Sequence, residues 1–114
     1  MRLLRFGPEE SRSIDHHESS SFRVTPLAKI AGEAQIAVAH LGPGGRIGRH
    51  PATVRQILAV VTGSGWASGA DGIEHELGPG IAALWEAGEE HETRTDHGVG
   101  AVLIEGALDP VTAE

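Results

Sequence analysis

The sequence predicts an all-β domain, a double-sheet jelly-roll barrel built from roughly ten short strands. Three observations lead to this fold class. The chain has 16 glycines and six prolines spread along 114 residues. Short runs of Val, Ile and Leu lie between these turn residues, and no apolar pattern runs long enough for an extended helix. Two facing sheets leave few strand edges open, so a jelly roll is the most economical arrangement.

Glycine, proline and polar residues mark the ends of the first predicted strands. Residues 2–6 form a short strand that ends at Gly7-Pro8, because proline fixes its own φ and restricts the residue before it. Residues 9–21 are polar and are predicted as a loop. Strands are then expected at 22–27 and 33–41, separated by a turn at 31–32. Within the second strand, period-two alternation puts His40 on the face that carries the larger apolar side chains.

The remaining strands are predicted at 55–62, 66–70, 73–77, 81–85 and 99–105. The 55–62 strand is apolar at nearly every position, so both of its faces need cover. We expect the barrel interior to bury one face of this strand, and a second sheet or another subunit to bury the other. A homodimer is therefore expected. Asp71-Gly72 is a strong hairpin signal. The tail at 108–114 is expected to fray.

Length and composition restrict the function classes. At 114 residues the chain is one domain spanning 1–114, with N-terminal strands and a polar loop within 1–30. The formal charge of −7 argues against a nucleic-acid partner. There is no cysteine for a disulfide, a thiolate metal site or a nucleophile. No secretory signal or membrane-length apolar run is found, so a cytoplasmic protein is expected.

Two segments bounded by glycines carry one histidine each. The positions that matter in the first segment are Gly45, His50, Ala52, Gln56 and Gly63, and those in the second are Gly80, Glu86, Gly88, His91 and Thr95. This pattern resembles the two sequence motifs of the cupin superfamily, and the resemblance extends over residues 35–105. It implies a cupin-like double-stranded β-helix in which both histidines project into one barrel.

The resemblance also implies a metal site. In cupins the histidines and the carboxylate of the two motifs hold a divalent metal, which maps onto His50, Gln56 and His91 here. Ala52 stands where the first motif has a second histidine, and Gln56 stands where it has a glutamate. Zinc, nickel, iron or manganese would be the ion. One function that follows is a metal-dependent enzyme of dioxygenase or isomerase type with a His/His/Gln site.

The residues themselves favour a different function. Two imidazoles and a neutral amide make a weak metal site, because no anionic ligand offsets the charge of the cation. The favoured hypothesis is a small-molecule-binding domain with a polar pocket at the barrel mouth. Its expected lining is His40, His50, Gln56, His91 and Thr93. In a third interpretation these side chains only bond one another.

Overall fold

The computed structural model describes residues 1–111, and within them the chain forms eleven β-strands and two short 3-10 turns. In chain order the strands are β1 (Arg2–Arg5), β2 (Arg12–Ser13), β3 (Arg23–Val24), β4 (Ala28–Leu41), β5 (Arg46–Pro51), β6 (Gln56–Gly63), β7 (Gly65–Ser68), β8 (His75–Leu77), β9 (Ile81–Trp85), β10 (Glu90–Arg94) and β11 (Val99–Pro110). The predicted all-β fold is confirmed. No helix in this part of the chain has the length and apolar character needed to cross a membrane.

The strands form two main sheets and one small ribbon. The larger sheet has five strands in the order β1-β9-β6-β11-β4, and the smaller has four in the order β5-β10-β7-β8. All their pairings are antiparallel. The ribbon pairs β2 with β3. Because β6 lies in the middle of the larger sheet, its nearly continuous apolar run is buried on both faces, as the sequence indicates.

Two apolar clusters cover the two faces of the larger sheet. The inner cluster lies between the sheets and includes Leu58, Val60, Ala83, Trp85 and Ala101. The outer cluster includes Leu4, Ile57, Ala59, Leu84 and Leu108, with Phe6 and Leu27 packed against it. Alternation along β6 sends successive side chains to opposite clusters. The inner cluster forms the barrel core, which sets the depth of any pocket at its mouth.

Several predicted boundaries differ from the structure. The expected turn at 31–32 is wrong, because β4 runs without interruption from residue 28 to residue 41 and absorbs the irregularity as a register shift against β11. The expected strand at 22–27 contracts to the two residues of β3. Residues 108–110 belong to β11 instead of a frayed tail, and residues 112–114 lie outside the described part of the chain.

The β6–β7 turn depends on a glycine. Gly63 has a φ of 72°, a left-handed conformation that side chains other than glycine rarely adopt. A Cβ at this position would also lie 2.2 Å from the carbonyl oxygen of Gly98. Gly72, in the β7–β8 connection, has a similar φ of 74° but nothing within 4 Å of the Cβ position. Substitution of both glycines therefore distinguishes the cost of backbone strain, which the two positions share, from the cost of steric overlap, which only Gly63 has.

We expect Gly63→Ala to destabilise the fold by about 3 kcal/mol or more, because strain and overlap add. Gly72→Ala, the matched control, carries the strain alone and should lose only about 1 kcal/mol. Chemical denaturation of the two variants measures the difference. Equal losses would show that the close approach of Gly98 does not restrict this turn.

Candidate functional site

The structure brings His50 and His91 together. His50 lies near the end of β5 and His91 lies in β10, and the two residues are direct partners in the antiparallel register. Side chains that face each other in this way point to the same side of a sheet. Their ring centroids are 4.4 Å apart with an interplanar angle of 51°. The convergence of the two imidazoles predicted from the sequence is thus present in the structure.

The indole of Trp85 forms the floor beneath this pair. It stacks on His91 with 4.5 Å between ring centroids and an angle of 37°. Trp85 is 0% exposed. Its Nε1–H donates to the carbonyl oxygen of Ser68 at 3.1 Å, which fixes the ring. His91 therefore lies between an immobile indole on one side and the exposed imidazole of His50 on the other.

Backbone carbonyls set the tautomer of both histidines. The Nδ1 atom of His50 lies 2.7 Å from the oxygen of Gly48, and that of His91 lies 3.1 Å from the oxygen of Glu89. A carbonyl oxygen only accepts, so each Nδ1 must carry the proton and donate it. In the neutral ring each Nε2 is then left with a free lone pair. In that form each imidazole has one acceptor atom, Nε2.

The Nε2 atom of His91 has no partner. Its residue is 2% exposed, and among residues 1–111 this is the one fully buried side-chain nitrogen or oxygen without a hydrogen bond. Burial lowers the pKa of His91, and the nearby His50 lowers it further, while the bond to Glu89 opposes the shift. The ring is therefore neutral near pH 7. An unpaired buried acceptor is costly, and a bound hydrogen-bond donor would remove that cost.

The other predicted residues divide into two groups. Gln56 is 8% exposed and lies on the inner face of β6, directly opposite Trp85. Thr93 is buried on β10, opposite Ala67 of the inner cluster. His40 is not brought to the pair: it is exposed on β4, on the same face as Ile36 and Val38, and these side chains point away from the barrel interior.

The residues present do not fit a resident catalytic metal. Among residues 1–111 no group of three or more histidine or carboxylate side chains is placed to hold an ion. Ala52 is buried where the resemblance puts a second histidine, and Gln56 offers only a neutral amide oxygen. Catalytic sites usually supply three strong protein donors, and two imidazoles fall short of that number.

Solved structures with the same architecture were found. An uncharacterized conserved protein with a double-stranded β-helix domain from Klebsiella pneumoniae is 18% identical, with a TM-score of 0.60 and 93% of each chain covered. A cupin 2 conserved barrel domain protein from Salinispora arenicola is 17% identical, with a TM-score of 0.58, covering 70% of this chain and 68% of that one. This chain has the cupin fold.

A third cupin structure is described as a sugar phosphate isomerase from Silicibacter pomeroyi. It is 19% identical with a TM-score of 0.55, and the match covers 64% of this chain and 50% of that one. No protein-family model matches the chain, and no curated protein matches it. At these identities the likeness establishes the cupin fold, and the chemistry must be argued from the site.

We expect His91 to titrate below 6.5, the ordinary histidine pKa, because its folded environment disfavours the charged ring. The unfolded chain takes up this proton more readily, so the contribution of His91 to stability is present above pH 6.5 and is lost as the pH falls below it. NMR titration of the ring ε1 resonances measures the pKa directly. His91→Phe should make the pH dependence of unfolding shallower in that range, and a pKa at or above the ordinary value would contradict the burial argument.

Proposed function

We propose that this cupin domain binds a small molecule through the two Nε2 atoms of the His50–His91 pair, without a resident metal. The observation that carries the proposal is the buried, unpartnered Nε2 of His91. A functional pocket is a common reason for a buried polar atom to remain unpaired in a folded protein. The stacking of His91 on Trp85 supports it, because a ring held on one face is already oriented for a ligand.

The tautomer defines what the ligand must offer. Both Nε2 atoms accept, so the complementary group is a hydrogen-bond donor such as a hydroxyl or an amide N–H. The amide of Gln56 and the hydroxyl of Thr93 can each donate and accept on the same inner side of the barrel. A neutral hydroxylated or amide compound satisfies this set without burying an unpaired charge.

The second candidate is a metal-dependent enzyme. Two imidazoles whose Nε2 lone pairs are free in the neutral ring favour it, since imidazole in this tautomer is a ligand for zinc, nickel and iron. The missing anionic donor weighs against it. The cupin structure described as a sugar phosphate isomerase shows that the fold accommodates catalysis, but it carries no assignment for this chain.

We also propose that the chain forms a homodimer through the outer face of the larger sheet. Ile36 and Val38 are 66% and 59% exposed there, beside half-buried Val102 and Ile104. The rest of this face is buried under Phe6 and Leu27. These four side chains are apolar in a chain of net charge −7, so a two-fold axis can bring two copies together over them with little repulsion.

A fragment screen tests ligand binding. We expect neutral compounds that carry hydroxyl or amide groups to shift the ε1 resonances of His50 and His91, with dissociation constants of about 1 mM. His91→Phe keeps a ring against Trp85 but removes the acceptor, so the shifts should disappear. His75→Phe alters an exposed histidine on β8 and serves as the control. Identical binding by the His91 variant would remove the pair from the site.

Metal titration of the same samples separates the two functions. Wild-type protein should bind Zn²⁺ weakly, and the double variant Ala52→His/Gln56→Glu should bind it roughly tenfold or more tightly, because it restores an imidazole and an anionic donor. Circular dichroism confirms that the variant is folded. Stoichiometric, tight zinc, nickel or iron binding by the wild type would favour the enzyme.

Sedimentation analysis tests the dimer. We expect the wild type to sediment as a dimer and Val38→Glu to dissociate it by at least about tenfold, since each two-fold interface would gain two buried carboxylates. Val54→Glu, which changes another exposed valine in the β5–β6 connection, is the matched control. A wild-type monomer at millimolar concentration would rule out this interface.

A further inference from the structure

The pairing of β5 with β10 is interrupted directly beside His50. His50 pairs with His91, but the register shifts before the next pair. Gly48 and Arg49 lie in this irregular stretch, where ladder bonds are locally disrupted, as at a β-bulge. A Cβ on Gly48 would meet nothing within 4 Å, so packing at this residue does not hold the stretch either. The carbonyl bonded to the His50 ring belongs to Gly48, and a further contact is needed to fix its position.

The side chain of Arg49 supplies that contact. Its guanidinium donates to the carbonyl oxygen of Gly69 at 2.6 Å and to the Ser68 hydroxyl at 3.2 Å. Ser68 is the last residue of β7, which lies across β10 from β5, and Gly69 follows it. The carbonyl oxygen of Ser68 also accepts from the indole N–H of Trp85. The irregular stretch beside His50 is thus bonded to the same backbone that orients Trp85.

The chain beside His91 depends on a charged side chain in the same way. Glu89 lies in the β9–β10 turn, and its carbonyl oxygen accepts from the His91 ring. Its carboxylate accepts from the N–H groups of Glu86 at 3.0 Å and Ala70 at 3.4 Å, and from the amino group of Met1 at 2.5 Å. Only 12% of this side chain is exposed, so water competes poorly for these bonds. The bond to Glu86 closes the turn, and the bond to Ala70 joins it to the backbone after β7.

The space around Gly69 gives separate evidence for this contact. A Cβ on Gly69 would lie 2.3 Å from Oε2 of Glu89 and 2.8 Å from the Cβ of Met1, so the carboxylate would have to shift. A Cβ on Gly78, in the β8–β9 turn, would meet nothing within 4 Å. Neither glycine has a left-handed φ, so the difference between them is steric. The Glu89 carboxylate therefore lies directly against the backbone that Arg49 also binds.

We propose that Arg49 and Glu89 are positioning residues of the His50–His91 site. Each bonds the backbone after β7 and so keeps one carbonyl against an Nδ1–H, which leaves Nε2 as the acceptor of that ring. Charge-assisted bonds are stronger than neutral ones and suit the two places where the ladder is interrupted or ends. The inference rests on the proposed function, because a ligand that binds at Nε2 gains affinity when the rings are already oriented.

Ring ¹⁵N chemical shifts of the ligand-free protein test this role, because they report the tautomer of each histidine. We expect Arg49→Met to lower the ratio of the Nδ1–H to the Nε2–H form about threefold or more at His50, and Glu89→Gln to do so at His91. A change of this size corresponds to the loss of one neutral hydrogen bond. Arg49→Lys keeps one donor and should restore most of the ratio at His50.

Two substitutions are matched controls for the loss of charge. Arg46→Met removes another guanidinium of β5, which pairs with Glu92. Glu86→Gln removes a carboxylate from the same turn as Glu89, and this carboxylate pairs with Arg55 instead. Neither substitution removes a side-chain bond to the backbone after β7, so neither should change the tautomer ratio of the two histidines.

Gly69→Ala tests the same contact from the backbone side. The added Cβ should displace the carboxylate and lower the tautomer ratio of His91 as Glu89→Gln does, because the two atoms cannot occupy the same space. Gly78→Ala, where the Cβ position is open, should leave the ratio unchanged.

Unchanged ring shifts in the Arg49 and Glu89 variants would overturn the positioning role, even if both variants are less stable. Equal changes in the Arg46 and Glu86 variants would overturn it as well. Failure here is distinct from failure of the proposed function, because the tautomer is measured without a ligand. Neutral fragments that bind the wild type and the Arg49 and Glu89 variants equally would contradict the positioning role alone, whereas fragments that bind none of them would contradict the proposed function.

Discussion

The indole of Trp85 links the two sheets of this cupin domain. It belongs to β9 of the larger sheet, yet its N–H donates to Ser68 in β7 of the smaller sheet, and its face contacts His91 in β10. A fully buried aromatic ring supplies a large apolar area and one polar bond with a fixed direction. The spacing between the sheets and the orientation of the histidine pair are consequently set by the same side chain. The shape of any pocket at this end of the barrel therefore depends on the position of Trp85.

The barrel end combines two kinds of polarity that do not compensate each other. On the histidine side, the carbonyls of Gly48 and Glu89 hold both Nδ1 protons, so Nε2 is the acceptor of each ring in its neutral form. Glu105, the partner of Gln56 on β11, makes no ion pair within residues 1–111. Gln56 lies between Trp85 and Glu105, and its amide can both donate and accept a hydrogen bond. A neutral hydrogen-bond donor, the ligand we propose, therefore suits this end of the barrel better than an anion does.

The sequence predicts the scaffold well, because its signals are local. The hairpin at Asp71-Gly72 and the apolar run of β6 both depend on neighbouring residues, and both are found in the structure. Alternation also places His40 with Ile36 and Val38 correctly. Alternation, however, predicts which residues share a face of a strand, but it does not predict which face points into the barrel. The large apolar face of β4 is the outer one, and His40 therefore lies away from the His50–His91 pair.

The alignment of Trp85, Gln56, Glu105 and Gln35 across four strands could not be predicted in the same way. Its members come from strands separated by tens of residues in sequence, so their alignment depends on the register of pairings that no local pattern fixes. The extension of β11 beyond Glu105 has the same origin, since residues 108–110 are ordered by pairing with the start of β4. Long-range register therefore decides which polar side chains meet.

Ala52 shows why fold and chemistry vary independently in this domain. Its N–H donates to the Glu89 oxygen at 3.0 Å, and its carbonyl accepts from the Gly88 N–H at 2.7 Å. These backbone bonds tie the end of β5 to the turn before β10 without any help from a side chain. His50 and His91 are therefore brought together whichever residue occupies position 52. The arrangement of the site is set by the backbone, while the ligand it accepts is decided by a few inward side chains on that frame.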